Sequence, residues 1–506
     1  MDSKIHFESC KNGDLTCSFQ GKYLHSKYNP KNEGERFVQN IQADFSPLCV
    51  FIIEPALSYC APFLRQKFPK AKICAIRFTD DFSETDGNWD FVFHLKNSTA
   101  NTQIFSLCDD LFDCFGEENL ISSIFFDWTP TKQAFASESL ETWNEIKKAV
   151  LKARDVLGTR SYFAKRWLKN SLIFAKNVRH AHILQKVSLP VIVAASGPSL
   201  KTSLPYLKKF RESFFLIALS SAFMPLSKHG ITPDLVISSD GGYWAKKHLE
   251  FSGSKAFDAI FTLEAEGAAS KKIISERKIL PLIYNDGLEK DFLDAIGCPY
   301  MISERNGTVA GTALQFALNL TDGNVYLCGL DQAPAPAFQH TQPNSLETDN
   351  ARKDFRLRNA ETRISASRFN SAASLEIYRN WFISNSECFK KRTFRLSDNF
   401  TYEYALGKIS EVNWNDFAEN ETQILSSKKT GETATKIKEI EMSGDERQEI
   451  LFDRLKKLSE TERFKSEVFP MDLILIRRET SSEQKQLLEE KLAEKIKSFL
   501  NEIRHW

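Results

Sequence analysis

The sequence predicts an α/β protein built around a doubly wound, mostly parallel sheet. A smaller α/β domain is expected before this sheet and a mainly helical region after it. Three observations predict this fold class. Six short apolar runs between residues 190 and 330 have the length of buried strands, and helical segments separate most of them. A strand–helix–strand pattern precedes these runs, and helical periodicity follows them.

Composition and charge exclude several classes of protein. The 506 residues include 67 Lys and Arg and 66 Asp and Glu, which gives a formal net charge of +1. This balance argues against a basic nucleic-acid-binding protein, and 42% hydrophobic residues argue against a disordered chain. No apolar run is long enough to span a bilayer, the N-terminus lacks a signal peptide's apolar segment, and the ten cysteines form no C-x-x-C pair. We therefore expect a cytoplasmic protein with reduced thiols, no nucleic-acid partner and no membrane span.

Residues 1–140 are predicted to form the N-terminal α/β domain. The strand, helix and strand of a parallel βαβ unit are expected at 48–53, 56–67 and 72–76. The first turn contains no glycine, so a dinucleotide or methyl-donor site is not expected there. Residues 141–185 follow as a helical connector, because their apolar residues recur at steps of three and four.

Residues 186–400 are predicted to form the central domain, with a Rossmann-like sheet. Its six strands are expected at 191–195, 214–219, 235–238, 259–263, 279–284 and 325–328. In such sheets ligands bind beyond the carboxyl ends of the strands. The residues found there are polar: Ser196, Ser220, Asp240, Glu264, Asp286 and Asp331. The pattern predicts a site at this edge, and capping of the following helices is the alternative role for these side chains.

The loop after the first of these strands is the first candidate ligand contact. It reads Ser196-Gly197-Pro198-Ser199, and a glycine lets a ligand approach the backbone closely. The peptide N–H groups and the two serine hydroxyls could hold a phosphate. No Gly-Lys-Ser/Thr follows, so this is not a Walker loop.

A second candidate loop reads Asn306-Gly307-Thr308 and precedes an apolar helix expected at 309–320. Its functional interpretation is a contact with a nucleotide, and its structural one is an N-cap formed by Thr308.

Two further residues are candidates for catalysis. Asp331 follows the last strand, and His340 lies nine residues later in a proline-rich loop. A loop histidine at this edge could act as a general base. No histidine and carboxylate pair has metal-ligand spacing, and no G-x-S-x-G elbow of a serine hydrolase is present.

Residues 401–506 are predicted to be mostly helical. Residues 425–450 are rich in Lys, Glu, Ser and Thr and are interpreted as a mobile linker. At the C-terminus, an amphipathic helix that packs on its own protein is predicted by Leu488, Leu492, Ile496, Phe499 and Ile503.

Four ordered motifs now support a family resemblance: VIVAASGPSL, HGITPDLVISSDGG, ERNGTVAGTALQFALNL and VYLCGLDQAPAPAFQH. Together they resemble the motility-associated factor (Maf) glycosyltransferases, whose central domain is grouped with an MptE-like pterin pyrophosphokinase. The segments GKYLHSKYNPKNEGER and SLEIYRNWF extend the resemblance to most of residues 20–400. The central pattern is also similar to that of bacterial CMP-sialic-acid transferases, whose G-N-G-P-S-L loop binds CMP. Ser196 replaces the Asn of that loop.

The resemblance implies a cytoplasmic transferase that moves a nonulosonic acid, of pseudaminic or legionaminic type, from its CMP form to Ser or Thr of flagellin. It assigns the acceptor base to His340 and a catalytic role to Asp331. The nucleotide contacts are expected at Ser196, Gly197, Pro198, Ser199, Ser220, Ser221, Asp240, Asn306, Gly307 and Thr308. Arg305 is a candidate for the sugar carboxylate by its position. No metal and no cofactor are expected.

Two other functions remain open at this point. One is an MptE-like 6-hydroxymethylpterin pyrophosphokinase, which would need Mg²⁺ held by carboxylates such as Asp240 and Asp331. The other is a non-catalytic factor that binds flagellin. The replacement of the loop Asn by Ser196 keeps this alternative open. Binding of CMP with turnover would distinguish the transferase from both.

Overall fold

The computed structural model describes residues 4–95, 106–250, 259–397, 400–425 and 435–504. The chain divides into two compact units. The first comprises Met1–Ala164 and Glu462–Asn501, and the second comprises Lys165–Thr461 and Glu502–Trp506. The four consecutive domains expected from the sequence stay a prediction. The boundaries of the two compact units lie at other residues than the expected domain boundaries.

The described residues form strands, α-helices and two 3₁₀ helices. The strands are β1 (Ile5–Ser9), β2 (Leu15–Phe19), β3 (Lys22–Tyr23), β4 (Cys49–Ile53), β5 (Lys72–Arg77), β6 (Phe91–His94), β7 (Ser123–Asp127), β8 (His180–Leu184), β9 (Val191–Ala194), β10 (Phe215–Leu219), β11 (Leu235–Ser238), β12 (Ile260–Glu264), β13 (Ile279–Ile283), β14 (Met301–Ile302), β15 (Val325–Cys328), β16 (Thr393–Leu396), β17 (Ser410–Val412) and β18 (Thr435–Glu439). The helices are α1 (Pro30–Asn40), α2 (Ala61–Lys67), α3 (Leu107–Ile121), α4 (Thr129–Ala134), α5 (Ala136–Asn177), α6 (Leu200–Lys209), α7 (Ser220–Lys228), α8 (Tyr243–Glu250), α9 (Lys271–Glu276), α10 (Glu289–Ala295), α11 (Val309–Leu320), α12 (Ser345–Ala351), α13 (Ala360–Phe389), α14 (Trp414–Leu425), α15 (Gly444–Ser459), α16 (Glu462–Val468), α17 (Pro470–Arg478) and α18 (Ser482–Ile503). The 3₁₀ helices span Asp80–Asn88 and Arg211–Ser213.

The first unit contains a four-stranded parallel sheet in the order β6-β5-β4-β7 and a three-stranded antiparallel sheet β1-β2-β3. The predicted βαβ unit is confirmed. Its helix begins at Ala61 rather than at residue 56, because the turn after β4 holds Glu54, Ala56 and Ser58 at positive φ. The buried Arg77 guanidinium stabilises this turn by donating to the Ala56 carbonyl at 2.8 Å and to Ser58 Oγ at 3.0 Å.

The second unit contains an eleven-stranded sheet with the order β17-β16-β15-β9-β10-β11-β12-β13-β8-β18, and β14 also pairs with β13. All six predicted strands of the central region are confirmed, with ends shifted by at most one residue. The strands from β17 to β13 are parallel, and β18 is antiparallel to β8. The predicted α/β fold class with a doubly wound sheet is therefore confirmed.

Both faces of this sheet are covered by helices. On one face Val191, Val193 and Ile217 pack with side chains of α11, and on the other Ile192 and Leu216 pack with side chains of α6, α7 and α14. Adjacent strand residues alternate between the two faces, so a strand buried on both sides has no polar position. This burial explains the uninterrupted apolar runs in the sequence.

Two predictions at the ends of the sheet are wrong in part. The connector is helical only to Asn177, because His180–Leu184 forms β8, which pairs with β13 and β18. The predicted linker contains strand β18 and the start of α15, while residues 426–434 lie outside the described residues. The C-terminal amphipathic helix is confirmed as α18.

Candidate functional site

The candidate site lies at the carboxyl ends of β9 and β15, where the strand order changes direction. After β9 the chain continues to β10 on one side, and after β15 it continues to β16 on the other. In open α/β sheets, ligands bind at such a switch point, beyond the carboxyl ends of the two strands. Ser196–Ser199 follow the first strand and Asp331 follows the second.

The two loops are joined through Gly197 and Asp331. The Gly197 N–H donates to the Gly329 carbonyl at 2.7 Å, and the Ser199 N–H donates to Asp331 Oδ2 at 3.1 Å. A Cβ on Gly197 would lie 1.9 Å from Asp331 Oδ2. The glycine therefore makes room for the Asp331 carboxylate, at the place where the sequence predicts a phosphate.

Asp331 keeps one carboxylate oxygen uncommitted. The residue is 7% exposed, and its Oδ1 has no hydrogen-bond partner among the described residues. Burial raises the pKa of the Asp331 carboxyl, and the Ser199 hydrogen bond opposes this rise. A buried acceptor without a partner is costly, so it is suited to accept a hydroxyl of a bound ligand.

Two residues that the sequence did not reveal support this pair of loops. The fully buried Arg395 of β16 donates to the carbonyls of Leu330 at 2.7 Å and Asp331 at 3.0 Å. Its guanidinium lies over the Tyr402 ring, 3.2 Å from the centroid. The sequence offers little signal for Arg395, because three basic residues, at 390–392, come just before it and only two of the four residues of β16 are apolar.

His340 is joined in one chain of hydrogen bonds with two serine hydroxyls, which follow β9 and β10. Ser196 Oγ is 2.7 Å from His340 Nδ1 and donates to Ser221 Oγ at 2.8 Å. Because the Ser196 proton is given to Ser221, its oxygen accepts from His340 Nδ1, and the proton of the neutral imidazole is assigned to Nδ1. This leaves Nε2 as a base. Burial lowers the pKa of His340, which favours the neutral ring.

The segment around His340 is fastened to the same loops by side chains that the sequence did not single out. Thr341 donates from its N–H to the Ser196 carbonyl and from its hydroxyl to the Gly197 carbonyl, both at 2.7 Å. Asn344 Nδ2 donates to the Ser221 carbonyl at 3.2 Å. The position of His340 is therefore fixed by the hydrogen bonds that Thr341 and Asn344, its neighbours in the chain, make with the loop after β9 and with the start of α7.

A second histidine faces this centre from helix α8. His248 Nδ1 is 2.8 Å from Ser345 Oγ, and its ring lies edge-to-face with His340 at a centroid distance of 6.3 Å. Burial, with a smaller contribution from His340, lowers the pKa of His248 to about 4. Nothing in the sequence singles out His248 among the nine histidines.

The remaining predicted nucleotide contacts make no described contact with the Ser196–His340 pair. Ser220 is buried at the start of α7, and Asp240 is exposed and accepts from the Gly242 N–H at 2.8 Å. In the second loop, Asn306 binds the Glu304 carbonyl at 3.1 Å, Gly307 has a φ of 65°, and Thr308 precedes α11 without a side-chain cap. Thr308 therefore occupies the N-cap position of α11 as predicted, without a capping hydrogen bond from its side chain, and the nucleotide roles stay predictions.

Arg305 is held by carboxylates beyond the end of the neighbouring strands. It donates to Asp286 at 2.7 and 3.1 Å and to Glu266 Oε2 at 2.6 Å. Its guanidinium lies 4.4 Å from the centroid of the Tyr284 ring. Burial raises the pKa of Glu266 to about 7 and that of Glu264 well above its usual range. Binding of a sugar carboxylate by Arg305 stays a prediction, and it would have to compete with these partners.

Over the described ranges, no group of three or more His, Cys, Asp or Glu side chains is arranged to hold a metal ion. None of the helices in the same part of the chain is long and apolar enough to cross a membrane.

The chain is similar to known proteins in part of its sequence and in its fold. Residues 165–335 match the family model described as 6-hydroxymethylpterin diphosphokinase MptE-like. An uncharacterized protein of Treponema pallidum (strain Nichols) is 29% identical over 320 residues, which cover 62% of this chain and 68% of that protein. A second one from the same strain is 25% identical over 128 residues, which cover 24% of this chain and 60% of that protein, less than two thirds of its length.

Among solved structures, the chain is similar to the MAf glycosyltransferase from Magnetospirillum magneticum AMB-1. The TM-score is 0.55 and the sequence identity is 12%, with 100% of this chain and 92% of that chain covered. Residues 165–335 therefore carry an MptE-like domain, and the chain as a whole has the fold of a Maf glycosyltransferase.

Proposed function

We propose that this protein is a glycosyltransferase that moves a nonulosonic, sialic-acid-like sugar from a CMP donor to Ser or Thr of flagellin, in support of flagellar assembly and motility. The observation that carries the proposal is the hydrogen-bonded chain from Ser221 through Ser196 to His340, beside Asp331 at the switch point of the sheet. The shared fold supports the reaction class. The donor and the acceptor rest on the resemblance of the motifs.

The donor nucleotide would lie in the crevice beyond β9 and β15. The hydroxyls of Ser196 and Ser199 and the second loop, Asn306–Thr308, would contact it from two sides. Asp331 Oδ1 suits a sugar or ribose hydroxyl better than a phosphate, because a carboxylate repels an anion and accepts from an O–H group. The phosphate would then lie towards the serine hydroxyls.

The chemistry needs a base for the acceptor and little help for the leaving group. The acceptor oxygen bonds to the anomeric carbon as the bond from that carbon to the CMP phosphate breaks, through an oxocarbenium-like state. The acceptor proton passes to His340 Nε2. The ring can take it at Nε2 because Nδ1 already carries the proton that is donated to Ser196. CMP leaves as a phosphate monoester.

We also place the reaction in the cytoplasm. No disulfide joins any of the ten cysteines, all of which lie in the described ranges, and eight of them are buried. Reduced buried thiols are typical of reducing compartments.

Arg305 would bind the sugar carboxylate only if the donor displaces Asp286 or Glu266 from its guanidinium.

The test combines donor binding with transfer. CMP is titrated calorimetrically into the protein, and a CMP-nonulosonic acid is incubated with flagellin, whose mass is then measured. We expect His340→Gln to lower kcat at least a hundredfold, the usual loss for a general base, and to change CMP affinity little. His180→Gln, on the exposed first residue of β8, is the matched control. Sugar transfer at the wild-type rate by His340→Gln would show that His340 is not the base.

A second candidate function follows from the family model matched by residues 165–335, whose description is a pterin diphosphokinase. Such an enzyme would bind ATP with Mg²⁺ and transfer diphosphate to a hydroxymethylpterin. Binding of ATP only with Mg²⁺, together with no binding of CMP, would favour it. Binding of flagellin without turnover of either donor would favour the non-catalytic factor.

A further inference from the structure

Helix α8 turns one of its faces towards the candidate site. His248, on this face, contacts Ser345 and lies edge-to-face with His340. Trp244 precedes it by four residues, and side chains four residues apart in a helix lie on the same face, one turn from each other. Trp244 therefore lies on the face of α8 that carries the contact with His340, one helical turn before His248, rather than on the opposite side of the helix.

Trp244 and its neighbour Tyr243 are unusually exposed for aromatic side chains. They are 44% and 60% exposed, and their rings pack edge-to-face with centroids 5.2 Å apart. Exposed large apolar side chains grouped beside a site mark a contact surface, and Trp and Tyr are the residues most enriched in such surfaces. The pair is thus available for a ligand that approaches His340 from the solvent.

The position of the pair in the sheet separates it from the donor crevice. Helix α8 follows β11, which is two strands away from β9 on the β10 side, whereas the proposed donor position lies beyond β9 and β15. A small nucleotide binds in a concave, buried site. A surface that stays this open in the free protein suits a larger ligand, whose side chains cover it on binding.

We propose that Tyr243 and Trp244 form the acceptor subsite, and that it takes a polypeptide segment in which apolar side chains flank the reacting hydroxyl. The proposal rests on the proposed function, because it assigns the acceptor of that same reaction to a surface. The aromatic rings pack against the flanking apolar side chains. This contact holds the acceptor hydroxyl within reach of His340, while the donor occupies the crevice.

The experiment measures the KM for flagellin, by its mass increase, and the affinity for CMP in the same protein preparations. We expect Trp244→Ala to raise the KM for flagellin about tenfold or more, the usual cost of removing an aromatic anchor. CMP affinity should change less than twofold, which also shows that the variant is folded. Trp244→Phe keeps an aromatic ring and should recover most of the affinity. Ile437→Ser removes a side chain that is 63% exposed on the edge strand β18 and should leave both values unchanged.

Peptide acceptors test the predicted ligand class. Two synthetic flagellin segments are compared, one with its native apolar residues around the acceptor Ser or Thr and one with those residues replaced by Ser. Wild type should prefer the first, and Trp244→Ala should lose this preference. An unchanged KM in Trp244→Ala, or a loss of CMP affinity instead, would overturn the acceptor subsite. No transfer by wild type to flagellin, with CMP bound or not, would overturn the proposed function and the subsite with it.

Discussion

At the scale of single residues, Gly197 shows how one absent Cβ permits a buried carboxylate. The Asp331 side chain lies directly against the Gly197 backbone, and the Gly329 carbonyl closes the same space from the other side. The requirement is one of space and not of backbone dihedral angle. A glycine in this loop is therefore needed even before any ligand binds.

Gly197→Ala is expected to abolish CMP binding and to lower the free energy of unfolding by about 2 kcal/mol or more, because overpacking at a site without room forces the backbone to shift. Its added Cβ would lie 2.6 Å from the Gly329 carbonyl oxygen. Urea unfolding and CMP titration measure the two effects. Gly444→Ala is the control, since a Cβ added at Gly444 would meet no described atom within 4 Å outside its own helix backbone. Wild-type stability in Gly197→Ala would show that the Asp331 loop can move aside at little cost.

Protonation of His248 should lower the free energy of unfolding at acidic pH. Its pKa is lowered from 6.5 to about 4 in the folded protein, so the unfolded chain takes up a proton first as the pH falls. Stability from this group is therefore complete above pH 6.5 and is lost towards pH 4. By pH 5 the loss should be roughly 2 kcal/mol.

The measurement compares urea unfolding of wild type and His248→Phe at pH 7 and pH 5. The phenyl ring keeps the shape of the side chain and removes its titration, so wild type should lose roughly 2 kcal/mol more than the variant over this interval. Equal losses in the two proteins would mean that His248 titrates normally. Buried carboxyls such as Glu264 are common to both proteins and cancel in the comparison.

Single residues of the site were predictable where the strand ends determine them. Ser196 and Asp331 follow apolar runs directly, and the topology brings neighbouring strand ends together. Their contact through Ser199 fits that expectation. Arg395 and His248 were not predictable, because their roles arise from the pairing of β16 with β15 and from the contact of α8 with His340, which no local pattern encodes.

At the scale of elements, β13 shows how a strand can contain a proline inside a sheet. The N–H of Phe261 donates to the Lys278 carbonyl, and that of Ala265 donates to the Leu282 carbonyl, so the even-numbered positions of β13 face β12. Pro281 is odd-numbered and faces the other side. There, β8 pairs only at Ile279, and β14 begins at the position of Leu282. The missing N–H of Pro281 lies in the gap between these two partners.

The strand was nevertheless predictable, because its apolar run outweighs one proline. What could not be predicted is the change of partner at Pro281, since pairing across a sheet depends on segments far away in the sequence. The same reason explains why β8 was assigned to a helix. Its residues continue a helical pattern, and only pairing with β13 and β18 makes them a strand.

Two helical glycines should respond in opposite ways to alanine. In α11, a Cβ on Gly311 would lie 2.9 Å from the Trp381 ring and 3.0 Å from Asn306 Cβ. We expect Gly311→Ala to destabilise the protein by about 1–3 kcal/mol, despite the better helix propensity of alanine. In α5, a Cβ added at Gly158 would meet no described atom outside its own helix backbone within 4 Å. Gly158→Ala should therefore raise the free energy of unfolding by up to about 1 kcal/mol. Thermal unfolding of both variants measures the difference, and stabilisation by Gly311→Ala would show that the contact between α11 and Trp381 is loose.

At the scale of the whole molecule, the first unit is built from two separate stretches of the chain. Glu118 of the first stretch binds Arg477 of the second at 2.8 Å and Ser466 at 2.5 Å. The Ser46 N–H donates to the Arg478 carbonyl at 2.9 Å. Helices α16 and α17 therefore belong to the core and the polar surface of this unit, which no pattern in the sequence indicates.

Ending the chain at Thr461 is expected to unfold the first unit. The removed segment contributes several large side chains that are fully or almost fully buried: Phe464, Phe469, Leu473, Leu492 and Phe499. Each contributes about 1.5–3 kcal/mol by burial, and a typical unit is stable by only about 5–15 kcal/mol in total. Hydrogen exchange measures this directly. The amides of β4 should lose protection in the shortened chain, and those of β9 should keep it; protected β4 amides would show that the first stretch folds alone.

The two-stretch construction also sets an order of events during synthesis on the ribosome. The first unit is begun by residues up to Ala164 but is completed only by Glu462–Asn501, about 300 residues later. At a translation rate of about 5–20 residues per second, the first stretch waits roughly 15–60 s for the segment that completes its unit. During that interval the apolar surface that α16 to α18 will cover is open to other nascent chains. Early synthesis of this protein should therefore depend on chaperones more than its final stability would indicate.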